Sequence, residues 1–106
     1  MQRICFVLRV KPERIADYRD RHAAVWPEML AALGNAGWKN YSLFLRADGL
    51  LIGYCETEEF AEAQRKMQSA PVNARWQSEM AEYFEDLSGS TADTSMLPLQ
   101  EVFHLD

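Results

Sequence analysis

Tyr18 and His22 stand four residues apart in a stretch whose apolar and aromatic positions recur at alternating spacings of three and four: Ile15, Tyr18, His22, Val25, Trp26, Met29, Leu30 and Leu33. At helical pitch this puts both side chains on one face, one turn apart. Histidine has an unperturbed pKa of about 6.5 and can give and take protons near neutral pH, so the pair is a candidate acid–base group. The competing reading is amphipathic packing with the polar tips satisfied, and an isolated pair of this kind is more often that. Trp76, on the apolar stripe of a later helix, and Tyr41, in a strand, could point into the same space. Together they suggest an enclosed site with one histidine, hydroxyl-bearing aromatics and an indole. Such a set suits proton transfer on a small, neutral, polyhydroxylated molecule better than redox or phosphoryl chemistry.

Other signatures are missing. Gly34 and Gly37 stand without the rest of a phosphate-binding fingerprint, and there is no G-x-S-x-G elbow. Neither Cys5 nor Cys55 has a histidine nearby in sequence, and His22 and His104 are too isolated to suggest a metal site. Glu56, Glu101 and His104 fall in strands whose facing the sequence leaves open; any could be a second proton-transfer group, and the surface reading is the commoner one.

The elements that must position these groups follow from periodicity. Ile4 to Val10 reads as a strand. A helix should begin near Pro12 and carry the Tyr18–His22 stripe, with Asp17, Arg19, Asp20 and Arg21 on its solvated side. Pro27 should kink or restart it near Trp26, and Gly34 and Gly37 should end it. Trp38 to Arg46 and Leu50 to Thr57 read as strands joined at Asp48-Gly49, a two-residue hairpin signal. That register would set Tyr41 opposite Glu56 and Leu43 opposite Tyr54. A helix is expected over 58–69, and another opening at Pro71 with the stripe Val72, Trp76, Met80, Tyr83, Phe84 and Leu87. Residues 88–95 read as a loop and Leu99 to Leu105 as a closing strand. The order predicts an α+β, ferredoxin-like sandwich, one antiparallel sheet with helices on a single face. The bare sheet face makes a homodimer the economical assembly.

The chain of 106 residues is one domain's worth, with no repeats and no linker. Its net charge of −5 argues against nucleic acid or an anionic membrane as partner. No apolar run approaches the roughly 20 residues of a membrane helix, and the N-terminal apolar stretch is short for a secretory signal. Two cysteines make no disulfide framework, so a cytoplasmic location with free thiols is expected.

Several segments together resemble the L-rhamnose mutarotase family. They are Tyr18-x-x-x-His22 followed by Trp26-Pro27-Glu28, then Asn40-Tyr41, Arg75-Trp76, and Leu99-Gln100-Glu101-Val102-Phe103. The resemblance runs from the first strand to the last. It implies a dimeric ferredoxin-like fold of the α/β-barrel assembly type and a site without metal or cofactor. It implies His22 as proton donor, and Tyr18, Tyr41 and Trp76 as sugar-binding positions. It implies exchange between the anomers of L-rhamnose in support of rhamnose catabolism. Where the family often has two adjacent tryptophans, this chain has Trp76 followed by Gln77, whose amide can hydrogen-bond a sugar hydroxyl but offers no stacking face. Neighbouring helical positions point about 100° apart, which predicts Gln77 at the pocket's edge.

Overall fold

The computed structural model describes residues 1–85, 87 and 91–106. Three strands form an antiparallel sheet: β1 (Gln2–Arg9), β2 (Lys39–Leu45) and β3 (Leu50–Thr57), in the order β1-β3-β2. Four helices, α1 (Ile15–His22), α2 (Pro27–Ala36), α3 (Phe60–Gln68) and α4 (Pro71–Met80), complete the fold. The alternation Ile4, Phe6, Leu8 in β1 and Leu51, Cys55, Thr57 in β3 points one side chain in two at the buried core. Phe6 lies directly across from Gly53, and a Cβ added there would come within 2.2 Å of the Phe6 ring. The glycine is what lets that ring lie flat on the sheet.

The proline signals act as the sequence suggests. Pro27 disfavours helical backbone at the residue before it, and Trp26 is extended (φ −56°, ψ 135°), so α1 stops at His22 and α2 restarts at Pro27. Gly37, at φ 100°, ends α2: its N–H donates to the Gly34 carbonyl at 3.1 Å and the Trp38 N–H to that of Leu33 at 3.0 Å, the paired bonds of a Schellman cap. Gly34 lies inside α2 and ends nothing.

Three expectations are corrected. The β2–β3 hairpin pairs Leu43 with Gly53 and Ser42 with Tyr54, one residue away from the predicted register. The Gly49 N–H donates to the Arg46 carbonyl and Arg46 pairs back to Leu50, so the loop holds three residues, 47–49. Gly49 takes the left-handed φ of 99° that such loops place at their last position. The apolar stripe of α4 runs past its helix: Met80 ends α4, Tyr83 sits in a short 3-10 turn, and Phe84 is extended and bridges Val10. No strand forms over Leu99 to Leu105. The Leu99 N–H donates to the Cys5 carbonyl at 2.7 Å and Glu101 pairs with Arg3, placing the tail along the outer edge of β1. Beyond that contact Val102, Phe103 and Leu105 are exposed, and without a ladder the segment does not become a strand. The expected loop over 88–95 lies partly outside the described residues; 91–95 contain a short 3-10 turn.

The helices cover one sheet face. On the other, Val7 pairs with Ile52 and Ile52 with Phe44, a row across all three strands that is 36%, 38% and 61% exposed. No helix among the described residues is long and apolar enough to cross a membrane.

Candidate active site

Between the helices and the inner sheet face lies a cavity of about 340 Å³, in the range typical of small-molecule sites. Tyr18 and His22 reach it from α1, Tyr41 from β2, and Trp76 and Gln77 from α4. All five residues singled out from the sequence therefore line one space. Met29, Met80 and Phe84 are buried as expected of core residues and also form part of its wall.

The i, i+4 spacing on α1 produces direct contact. The Tyr18 ring and the His22 imidazole stack with centroids 4.1 Å apart and planes at 28°. His22 Nδ1 lies 3.0 Å from the Tyr18 backbone oxygen. A carbonyl only accepts, so Nδ1 carries the hydrogen and Nε2 keeps the lone pair in the neutral ring. Burial holds the His22 pKa below its ordinary value, partly offset by that backbone hydrogen bond. Trp76 meets His22 edge-on at 5.5 Å, and Trp26 meets Trp76 edge-on at 5.0 Å. The indole thus packs against two other rings.

Tyr18 is buried and Tyr41 partly so. Burial pushes both phenols above the usual tyrosine range, and for Tyr41 the charges of Tyr18, Cys55 and Asp93 add to it. A phenol with a raised pKa stays protonated at neutral pH, which makes each a hydrogen-bond donor and a poor base. Tyr41 rests against Trp38 at 5.0 Å and tilts toward Phe6 at 6.5 Å.

Gln77 is not at the rim. It is 8% exposed, and its Nε2 donates to Asn73 Oδ1 at 3.2 Å one turn back on α4. Its Oε1 accepts from the Asp93 backbone N–H at 3.4 Å. Asn73 Nδ2 in turn donates to the Asp93 carboxylate at 2.8 Å and to the Met67 carbonyl at 3.0 Å, while the Thr91 hydroxyl donates to the other Asp93 oxygen. Both Asn73 and Asp93 line the cavity.

The open candidates resolve by position. Glu101 pairs with Arg3 along β1, His104 pairs with Asp106, and neither lines the cavity. Glu56 accepts from Tyr54 and Asn40, which hold its carboxyl below the usual range, away from the cavity. Burial pushes the Cys55 thiol up to about 11, so little thiolate forms at neutral pH. No group of three or more His, Cys, Asp or Glu able to hold a metal occurs among the described residues.

Residues 3–105 match the family model described as L-rhamnose mutarotase. The chain belongs to the L-rhamnose mutarotase family. Curated relatives carrying that name match along the full length of both chains: the protein from Oceanobacillus iheyensis is 36% identical over 109 residues. That from Phocaeicola vulgatus is 32% identical over 106 residues. A crystal structure of L-rhamnose mutarotase from Formosa agariphila superposes with a TM-score of 0.82 over the whole of both chains at 21% identity, which shows the shared fold.

Within this mutarotase-family site, sequence reasoning missed Asn73 and Asp93. Asn73 carried a usable signal, since Asn and Gln four apart on a helix commonly hydrogen-bond. Asp93 carried none: it sits in a Ser/Thr-rich segment and reaches the cavity through tertiary folding alone.

Proposed function

We propose that the protein exchanges the α and β anomers of L-rhamnose with His22 as the proton-transfer group, Tyr18 and Tyr41 as hydroxyl donors, and Trp76 as the face against which the sugar's C–H surface lies. The observation that carries the reading is the part-buried His22 imidazole with its Nδ1 committed to the Tyr18 carbonyl, its Nε2 unshared among the described residues, and an indole beside it. Ring opening needs a proton taken from the anomeric hydroxyl and one given to the ring oxygen. Both oxygens are on C1, within reach of one nitrogen. Neutral His22 Nε2 takes the anomeric proton as the O–H electron pair forms the C1 carbonyl. The C1–ring oxygen bond breaks with its electrons on oxygen, and the imidazolium delivers the proton there. Rotation about C1–C2 and the reverse steps give the other anomer. His22 is thus both base and proton donor in one cycle, general acid–base work typically worth about 10²–10⁴-fold per step. Side chains alone complete it.

The exposed Val7–Ile52–Phe44 row supports a homodimer formed through the sheet face, the arrangement of a dimeric α/β barrel. The free thiols and the net charge of −5 support a cytoplasmic protein acting on a small sugar, with neither nucleic acid nor membrane as partner. The test is NMR exchange spectroscopy on the two anomeric protons of L-rhamnose: added protein should speed exchange well above the buffer rate, and an unchanged rate rejects the reading.

A further inference from the structure

The cavity is lined by two chemically different sets of side chains. One is the aromatic acid–base cluster of Tyr18, His22 and Trp76. The other is a hydrogen-bonded polar network that, among the described residues, shares no hydrogen bond with the first. Its centre is the Asp93 carboxylate. One oxygen accepts from Asn73 Nδ2 at 2.8 Å and the other from the Thr91 hydroxyl. Asn73, 3% exposed, is fixed by its second donor bond to the Met67 carbonyl and by Gln77. Gln77 also holds the Asp93 backbone, as does Gln64, whose Nε2 donates to the Asp93 carbonyl at 3.4 Å. The carboxylate is therefore locked in place on a residue that lines the cavity.

A carboxylate offers about four lone-pair positions, and these two bonds occupy two. Each oxygen retains a free acceptor position. A pair of adjacent acceptors on a rigid frame matches two neighbouring hydroxyls of a sugar, each donating to one oxygen. Gln77 supports this carboxylate indirectly, through the Asp93 main-chain N–H and through Asn73.

We propose that Asp93 is a specificity-determining residue that accepts hydrogen bonds from the vicinal 3- and 4-hydroxyls of the sugar, with Asn73 and Gln77 as its positioning residues. The inference rests on the mutarotase reading above. In the pyranose ring C3 lies opposite the ring oxygen and C4 opposite C1. A sugar that puts its ring oxygen and anomeric hydroxyl at His22 therefore presents those two hydroxyls on the side away from His22, where the Asp93 carboxylate would receive them. The methyl group on C5 makes no demand on the acceptor pair. A carboxylate there rejects sugars lacking either hydroxyl, because its desolvated oxygens would then go unpaired.

Steady-state exchange kinetics on L-rhamnose and its 3-deoxy and 4-deoxy analogues, for the wild-type chain and for Asp93→Asn, test this. The wild-type chain should show KM raised about 10- to 100-fold for each deoxy analogue, the range for a lost hydrogen bond to a charged group, with kcat changed far less. Asp93→Asn should raise KM for L-rhamnose by a similar factor and discriminate much less against the analogues. A purely structural Asp93 would lower Tm in that variant and leave KM and the discrimination untouched, which overturns the inference. So does a wild-type chain that handles both analogues as it handles L-rhamnose, a result that needs no folded variant. Absence of L-rhamnose exchange in the wild-type chain would instead overturn the function reading, and the inference with it.

Discussion

The His22 imidazole lies face to face with the Tyr18 ring, centroids 4.1 Å apart, while its Nδ1 is 3.0 Å from the Tyr18 backbone oxygen. One residue thus supports the other twice, through its side chain and through its main chain. The stack fixes the plane of the imidazole, and the hydrogen bond fixes the tautomer and leaves the Nε2 lone pair free for the proposed proton transfer. Because both contacts come from one helical turn, the geometry is set by the backbone of α1 and not by a flexible loop.

A pH dependence follows from the burial of His22. Its folded-state pKa is lowered, so the unfolded chain binds the proton first as pH falls. The contribution to stability is present above the unfolded value of about 6.5 and is lost as pH drops through the lower folded value. Thermal unfolding between pH 8 and pH 5 should show a larger loss of Tm for the wild-type chain than for His22→Asn. Enzymatic anomer exchange, corrected for buffer, should fall over the same acid range as Nε2 becomes protonated. A rate that instead climbs into acid would mean that the imidazolium is the resting reactant.

Trp76 and Gln77 are neighbours with different work. Trp76 is buried and packs against His22 and Trp26, so truncation to Ala would cost about 3–5 kcal/mol of stability as well as contact area. Trp76→Leu retains apolar volume and removes the aromatic face. It should weaken L-rhamnose binding by about 2 kcal/mol, as expected of a central aromatic anchor. Gln77→Ala should cost about 0.5–1.5 kcal/mol, the net worth of a typical hydrogen bond. Titration calorimetry ranks the two, and a larger loss for Gln77→Ala would move the main sugar contact from the indole to the polar network.

The course of the chain up to α4 was largely legible in the sequence because its punctuation is strong. Pro27 and Pro71 open helices where expected, Gly37 caps one, and the 3.6-residue stripe put Tyr18 and His22 on one inward face. The hairpin register was not, because Asp48-Gly49 is compatible with both a two- and a three-residue loop, and what decides between them is the Arg46–Leu50 pairing, with Asp48 outside the left-handed region that a two-residue turn needs. Nor was the tail: Leu99 to Leu105 has a strand's composition, yet only Leu99 makes a backbone hydrogen bond to β1, and composition alone supplies no ladder partner. Gln77 was misplaced for a related reason. Helical angles locate it beside the Trp76 stripe, but the 91–95 segment folds over it and turns an edge position into a buried one.

The open sheet face predicts the assembly. Val7, Ile52 and Phe44 form an apolar row that a monomer would leave in water. Sedimentation should give a dimer at micromolar concentration. Ile52→Lys, at the centre of the row and remote from the cavity, should shift it to monomer with the circular dichroism spectrum retained. A wild-type chain that sediments as a monomer would contradict the assignment of that face.

Exhaustive chelation should leave anomer exchange at its full rate, since the described residues contain no cluster of metal ligands and the proposed steps use side chains alone. Loss of activity in EDTA, restored by a divalent ion, would require a different mechanism.

The central claim is that one imidazole carries the proton. It is tested most directly by two-dimensional NMR exchange between the anomeric protons of L-rhamnose in the presence of the wild-type chain and of His22→Asn, at equal concentration and neutral pH. Asn preserves a polar side chain beside Tyr18 but cannot shuttle a proton. The predicted result is fast exchange with the wild-type chain and exchange close to the buffer rate with the variant, the circular dichroism spectrum and Tm showing that the variant is folded. Wild-type exchange in a folded His22→Asn protein would contradict the account.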